Sequence, residues 1–292
     1  MKRLMLIVFF LMALPLIGFS QENQEKEKYT KINPLVKTKS KIQREAFEST
    51  ALIDNQTNTI YKKGTLEFVM NHRFGLVNGS PKDNDLIGIW GAANIRLGVN
   101  YSVTDWATVG FGTTKDSRLQ DFNLKLAILK QTTDNKFPVS VSYYGNYTVD
   151  ARRKENFRHT EDRYSFFSQI IVARRFSRNF SFLVSPSLSH FNVVDNNMRN
   201  DMFAVGFGTH YKLTPQTSVI AEYTQPINTY TSMTPDPGFS LGFEFVTGSH
   251  AFQVFITNYK AIVPQRNIMF NQNNMFEGDF MIGFNITRLW NF

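Results

Sequence analysis

From Gly64 to the C terminus, apolar and polar positions alternate with a period of two, the signature of β-strands. In the closing stretch GDFMIGFNITRLWNF (278–292), Phe280, Ile282, Phe284 and Ile286 alternate with Asp279, Met281, Gly283, Asn285 and Thr287. The pattern predicts twelve strands, at 65–76, 88–101, 106–115, 119–131, 138–149, 163–176, 179–191, 201–213, 216–228, 237–247, 249–259 and 278–290. Soluble strands are usually about five or six residues long. These run to ten to fourteen, enough for the roughly nine to eleven that a tilted strand needs to cross a bilayer.

The connections sort by parity. After even-numbered strands they are tight: SVTD (102–105), TTDNKFP (132–138), SRN (177–179), TPQ (214–216) and TGS (247–249). After odd-numbered strands most are long and polar, including NGSPKDNDLIG (78–88), DARRKENFRHTED (150–162), NVVDNNMRN (192–200), TYTSMTPDP (229–237) and KAIVPQRNIMFNQNNMFEG (260–278). Short turns at one end, long loops at the other and an even strand count are the pattern of an outer-membrane barrel.

Parity also assigns the faces. Phe203, Val205, Phe207 and Tyr211 share one face, with Gly206, Gly208, His210 and Lys212 on the other. Phe252, Val254 and Ile256, the set Leu241, Phe243 and Phe245, and the set Phe122, Leu124, Leu126 and Ile128 sort likewise. Apolar side chains outward with polar ones or glycine inward suits a lipid surround. The expected fold is therefore all-β: a closed antiparallel transmembrane β-barrel of about 12 strands, after a short, mostly disordered N-terminal segment. Closure pairs the last strand with the first, GTLEFVMNHRFGL, so that no backbone edge is left in lipid. Pro186, inside the seventh strand, removes a ladder donor and predicts a bulge or distortion there.

Ahead of the barrel, residues 1–20, MKRLMLIVFFLMALPLIGFS, read as a secretory signal peptide: a basic start, an apolar stretch, and Gly18 and Ser20 before the cleavage point. Residues 21–63 begin Lys/Glu-rich and read as a polar periplasmic segment, in which AFESTALIDNQT (46–57) is an amphipathic patch suited to docking. The barrel takes 64–292. With zero cysteines, disulfides, thiolate metal sites and thiol nucleophiles are excluded. The 28 Phe, 11 Tyr and 3 Trp fit strands that face an apolar medium. A net charge of +8 is scattered along the chain with no recognition motif, which points to an anionic lipid surface and not to nucleic acid.

GTLEFVMNHRFG (64–75), NIRLGVNYSVTDWATVGFG (94–112) and LKLAILKQTTDNKFPVSV (124–141) together resemble a Bacteroidota family of β-barrel proteins known only as a domain of unknown function. His72-Arg73-Phe74-Gly75 and the segment from Lys125 to Gln131 carry the likeness most specifically. The resemblance implies an outer-membrane barrel in a Gram-negative bacterium, and carries over no activity, ligand or site residue.

Candidate chemistry is concentrated in the bore. By parity Glu67, Arg73, Arg96, Lys125, Glu222, Glu244 and Asp279 face inward. Arg96 and Lys125 are expected to oppose Glu222 and Glu244 across the lumen as a charge network, and Arg73 to pair with Asp279 across the seam. Such a set either lines a narrow pore or closes one. Trp290 and Phe292 end the chain like the signal read by the outer-membrane assembly machinery. No serine and histidine share a lipid-facing patch, since Ser189 and His190 have opposite parity, so a hydrolase is the weaker reading. Asp83-Asn84-Asp85 and Asp195-Asn196-Asn197 lack the spacing of a calcium loop, and no metal or cofactor is expected. The run Arg152, Arg153, Lys154, Arg158 and His159 is either a solvated loop face or a contact for lipopolysaccharide phosphates.

Two functions fit: a narrow channel or uptake pore for small solutes, or a non-conducting barrel that anchors or scaffolds a periplasmic partner recruited by 21–63. A soluble ligand-binding barrel is a third. The class is tested on a gel. Closed barrels resist detergent until heated, so the mature protein should migrate faster unheated than boiled; equal migration with recovery in the soluble periplasmic fraction would exclude a membrane barrel.

Overall fold

The computed structural model describes residues 40–77, 86–228, 230 and 234–292. The expectations for the signal peptide, for residues 21–39 of the polar segment that follows it and for Asp83-Asn84-Asp85 lie outside the described residues. Within the unit Ile42–Phe292 the chain forms twelve antiparallel strands. They are β1 (Thr65–Leu76), β2 (Asn94–Thr104), β3 (Ala107–Thr114), β4 (Leu119–Leu129), β5 (Ser140–Asp150), β6 (Tyr164–Arg175), β7 (Phe180–Phe191), β8 (Asp201–Lys212), β9 (Thr217–Pro226), β10 (Gly238–Val246), β11 (His250–Thr257) and β12 (Met281–Asn291). Each pairs with its neighbours in sequence, and β1 pairs with β12, which closes the barrel. Closure satisfies the backbone of the terminal strand, the requirement lipid imposes.

The side chains divide as the alternation dictates. Phe111, Phe122, Phe203, Phe243 and Val254 are exposed on the outer wall, whereas Asn71, Asp121, Gln169, Ser185 and Gln253 are buried inside. The bore is not uniformly polar, however. Ile171 on β6, Leu183 on β7, Met202 and Ala204 on β8 and Ile220 on β9 also point inward and are fully buried in one apolar cluster. The opposite arc, β1 to β4, contributes the charged groups Glu67, Arg73, Asp121 and Lys125 to the interior. Glu222 on β9 and Glu244 on β10 are buried in the bore as well, so charge also borders the apolar cluster.

Of the two outcomes expected at Pro186, the strand shows a distortion of the ladder and no bulge. Gln169 faces Ser187 and Val172 faces Val184, three residues further along each strand, so the register is unchanged while Ile170 and Ile171 lose their partners on β7. On its other side Pro186 pairs in register with Val205 of β8. The missing N–H therefore opens a gap in one ladder without displacing a strand. Register shifts lie elsewhere: between Arg73 and Leu76 of β1 against β12, between Ser102 and Thr104 of β2 against β3, and between Ala127 and Leu129 of β4 against β5.

Most of the long connections gather at one end. The one between β11 and β12 folds back over the bore and carries a short helix, α1 (Pro264–Phe270), whose Gln265, Asn267, Ile268 and Met269 are buried. Pro264 starts it in the first turn, where a missing N–H costs nothing.

Because Pro186 is exposed on the outer face and breaks a ladder without fixing a register, Pro186→Val should leave the barrel closed and its thermal transition in detergent equal or higher. A lower transition would show that the gap between β6 and β7 is required.

Candidate functional site

The candidate site is the filled interior of the barrel. Residues 42–63, expected to remain outside as part of a polar periplasmic segment, instead enter the bore from the short-turn end, reverse at 52–55 and return to start β1. The reversal is a tight turn in which the Leu52 N–H donates to the Asn55 carbonyl (2.9 Å), the Thr57 N–H to that of Thr50 (3.0 Å), and Ala51 bridges Gln56. The amphipathic patch 46–57 is this hairpin, and its docking surface is the barrel's own interior wall.

Three layers of contact hold it. At the short-turn mouth Ile42 bridges Thr132, the Glu48 carboxylate accepts from Arg44 (2.8 Å) and Lys212 (2.6 Å), and Glu45 pairs with Lys130 (3.3 Å). Burial alone would raise the Glu48 carboxyl, but Lys212 and Arg44 outweigh it and hold it below its ordinary value. A carboxyl lowered on folding stabilises above the ordinary carboxylate range and loses that contribution as pH falls through its folded value, so acid loosens this clasp. One layer in, Ser49 donates to Glu244 (2.7 Å), Thr50 donates to Glu67 (2.7 Å), and Lys125 donates to the Thr50 carbonyl (2.5 Å).

The third layer is the tip. Glu222 accepts the backbone N–H groups of Asp54 (2.6 Å) and Asn55 (3.0 Å), while the Asp54 carboxylate takes Arg73 Nη2 (3.0 Å). The apolar side chains of the hairpin, Phe47, Leu52 and Ile53, join the buried cluster on the β6–β9 arc. Each such side chain contributes about 1.5–3 kcal/mol on full burial. Two inward glycines of β8 make room for them. A Cβ on Gly208 would collide with Leu52, and one on Gly206 would meet Asn55 Oδ1 at 2.7 Å.

The expected site residues are therefore placed differently from their sequence reading. Arg73 does not pair with Asp279. Strand β12 begins only at Met281, and Asp279 lies in the preceding loop against the Asn274 backbone (3.4 Å), while Arg73 turns into the bore toward Asp54 and Asn285 (both 3.0 Å). Arg96 does not oppose Glu222 and Glu244. It forms a two-point ion pair with Asp121 (2.8 and 2.7 Å), reaching across β3 over Gly112, where a Cβ would meet the Asp121 carboxylate at 2.5 Å. Lys125, Glu222 and Glu244 do face the bore, but each contacts the hairpin and not a charge on the far wall. Trp290 lies under the Arg288 guanidinium (5.4 Å), and the Phe292 N–H donates to the Gly64 carbonyl (3.1 Å). Ser189 is buried in the bore, whereas His190 pairs with Asp201 (2.8 Å), so the two stay on opposite faces.

From the long-loop end, α1 completes the filling. Gln265 donates to Asn146 (3.0 Å), Thr148 (2.9 Å) and Ser165 (3.3 Å), and Asn267 reaches Asp54 (3.5 Å). Between the two inserts the described residues leave cavities of about 10 and 60 Å³, with larger vestibules of about 590 Å³ at the short-turn mouth and 420 Å³ beside α1. Asp54, Asp121, Asn285, Gln265 and the hairpin as a whole were not singled out from sequence. The signal that points to them is the set of inward apolar residues and inward glycines on β6–β9, which a water-filled bore does not need.

The model of a family described as "Membrane bound beta barrel domain (DUF5777)" matches residues 47–290, a span that begins inside the hairpin. Among solved structures, the NanC porin is similar at 7% identity over 78% of this chain and 99% of that one, with a TM-score of 0.49. The KdgM porin is similar at 6% identity over the same shares with a TM-score of 0.44. An outer membrane channel from Pseudomonas putida F1 is similar at 12% identity over 80% and 97%, with a TM-score of 0.47. No curated protein matches the chain.

Removing one partner of a buried ion pair typically costs about 3–5 kcal/mol, because the other charge is left uncompensated. Asp54→Ala, which strands the fully buried Arg73, should therefore lower the temperature of heat modification clearly, while Asp279→Ala should leave it within a degree or two. Equal shifts in the two variants would refute this assignment of the Arg73 partner.

Proposed function

This chain belongs to the membrane-bound beta barrel family, and within it we propose an outer-membrane barrel, with its short turns in the periplasm, that is shut at rest by its own N-terminal hairpin and passes small polar solutes when the hairpin withdraws. The observation that carries this reading is the division of the bore into two vestibules by one removable layer. Inside that layer the larger cavity, about 60 Å³, has room for about two waters at roughly 30 Å³ each. The hairpin is tied to the wall mainly by discrete polar contacts, and the chain continues from it into β1 at the mouth. A standing open pore does not fit this arrangement.

A second reading is a permanently closed anchor or scaffold. Its support is the apolar part of the insert, Phe47, Leu52 and Ile53, which is packed like a core. The two readings separate in planar bilayers. Gly208→Val drives a side chain into Leu52 and should dislodge the hairpin without changing any charge in the bore, whereas Gly248→Ala, with nothing within 4 Å, is the control. Wild type and Gly248→Ala should be silent apart from rare openings, and Gly208→Val should open at least about tenfold more often, the effect of about 1.4 kcal/mol. If a Gly208→Val barrel that is still heat-modifiable never conducts, the anchor reading stands; steady conductance from wild type would rule out the stopper.

A further inference from the structure

The hairpin tip is held as a ligand would be. We infer that the middle of the bore contains a binding site for a small zwitterion, an amino acid or short peptide, which Asp54 occupies in the closed state; this rests on the reading of the hairpin as a removable stopper.

The site is built entirely by the wall and by α1. One side of it is a carboxylate cradle. Asp54 Oδ1 accepts from Arg73 Nη2 (3.0 Å) and Asn267 Nδ2 (3.5 Å), and Oδ2 accepts from the hydroxyls of Ser240 (3.3 Å) and Thr257 (3.2 Å). Arg73 also donates to the tip at the Ile53 carbonyl (3.3 Å), but part of its orientation comes from the wall: its other Nη donates to Asn285 (3.0 Å), and its guanidinium lies over the Phe255 ring at 4.4 Å. The other side is a receptor for N–H donors, the Glu222 carboxylate, which accepts the backbone N–H of the same Asp54 at 2.6 Å. Cradle and acceptor are thus spaced to receive a carboxylate and an N–H group of a single residue.

Charge argues for the same class. With the tip withdrawn, Arg73 would lose the Asp54 carboxylate and Glu222 the two backbone N–H groups that the tip supplies. A simple anion would satisfy the first and meet the second, and a simple cation the reverse. A molecule carrying both groups matches both, and a charge-assisted hydrogen bond at each end is stronger than a neutral one. Two-point recognition also excludes solutes that lack either group, because a buried partner is then left unpaired.

The experiment uses the cysteine-free full chain with one reporter, Thr57→Cys, on the returning arm of the hairpin at a fully buried position that touches none of the site residues named above. A water-soluble thiol reagent should label it only when the hairpin withdraws. β-Alanine, whose ammonium and carboxylate are separated by two carbons as the N–H and side-chain carboxylate of Asp54 are, binds the vacated site and should speed labelling of the protein in detergent by about tenfold at ten times its dissociation constant, by mass action. Acetate and methylammonium at the same ionic strength, each carrying one group, should change the rate less than twofold. In the Glu222→Gln background the advantage of β-alanine over acetate should vanish. Labelling in buffer alone with no preference for β-alanine would overturn the site while leaving the stopper standing. A reporter that never labels while the barrel stays folded would overturn both.

Discussion

An ionised side chain in a narrow, low-dielectric bore needs opposite charge or oriented dipoles within hydrogen-bond reach, and the rest of this structure depends on how that need is met. The wall meets it alone at one place, where Arg96 and Asp121 pair across the gap left by Gly112. Elsewhere it does not. Arg73, Glu67, Lys125, Glu222 and Glu244 each take at least one partner from the hairpin: a carboxylate, a hydroxyl, a carbonyl or an N–H. The insert is therefore part of the electrostatic balance of the barrel and not an appendage lodged in it.

The same insert is tied to closure of the sheet. Gly64, where the hairpin passes into β1, donates to the Ser102 carbonyl (2.9 Å) and accepts from the Phe292 N–H (3.1 Å), so the end of the chain and the root of the hairpin meet at one residue. Its φ of +84° is a conformation that L side chains rarely adopt, and a Cβ there would run into the Phe292 carbonyl at 2.6 Å. The adjoining Lys63 N–H is held by Asp105 in the β2–β3 turn (2.8 Å). This root is fixed to β2, to the residue that follows β12 and to the β2–β3 turn, whereas the tip is fixed by side chains. A hairpin held this way withdraws, if it does, by swinging about Gly64 toward the short-turn mouth.

The barrel was legible in the sequence because lipid imposes a strict code. Period two, strand length and loop parity follow directly from crossing a bilayer, and every expected strand overlaps an observed one, with ends moved by at most a few residues except at β2, where 88–93 stay outside the ladder. Residues 42–63 carry no such code. An insert in a bore needs only shape and charge complementary to its particular walls, and Lys, Glu, Ser and Asn in a short segment look the same whether solvated or matched. The errors at Arg73 and Arg96 have one origin. Facing inward was deduced correctly, but partners were sought only among wall residues, while the nearer carboxylates were Asp54 on the insert and Asp121 behind a glycine. At Pro186 the lost donor was legible, and it takes the form of a missing bond, not a shifted strand.

The two inserts are unequal, and this sets where a path through the barrel runs. Helix α1 leans on the apolar arc from β6 to β9 and is held by Gln265, and the hairpin's hydrogen bond to it is a single 3.5 Å contact from Asn267 to Asp54. Beyond that bond the two inserts meet through the buried cluster that Leu52 and Ile53 share with Ile268 and Met269. What the hairpin's departure exposes is the opposite arc, where Asn71, Arg96, Asn100, Asp121 and Asn123 already line the larger of the two internal cavities. That cavity reaches Val263 and Pro264 at the start of α1, next to the residues that border the vestibule at the long-loop end. The vestibule at the short-turn mouth is bordered instead by the root of the hairpin and by β8 to β12, so the two ends of the bore are lined by different parts of the wall.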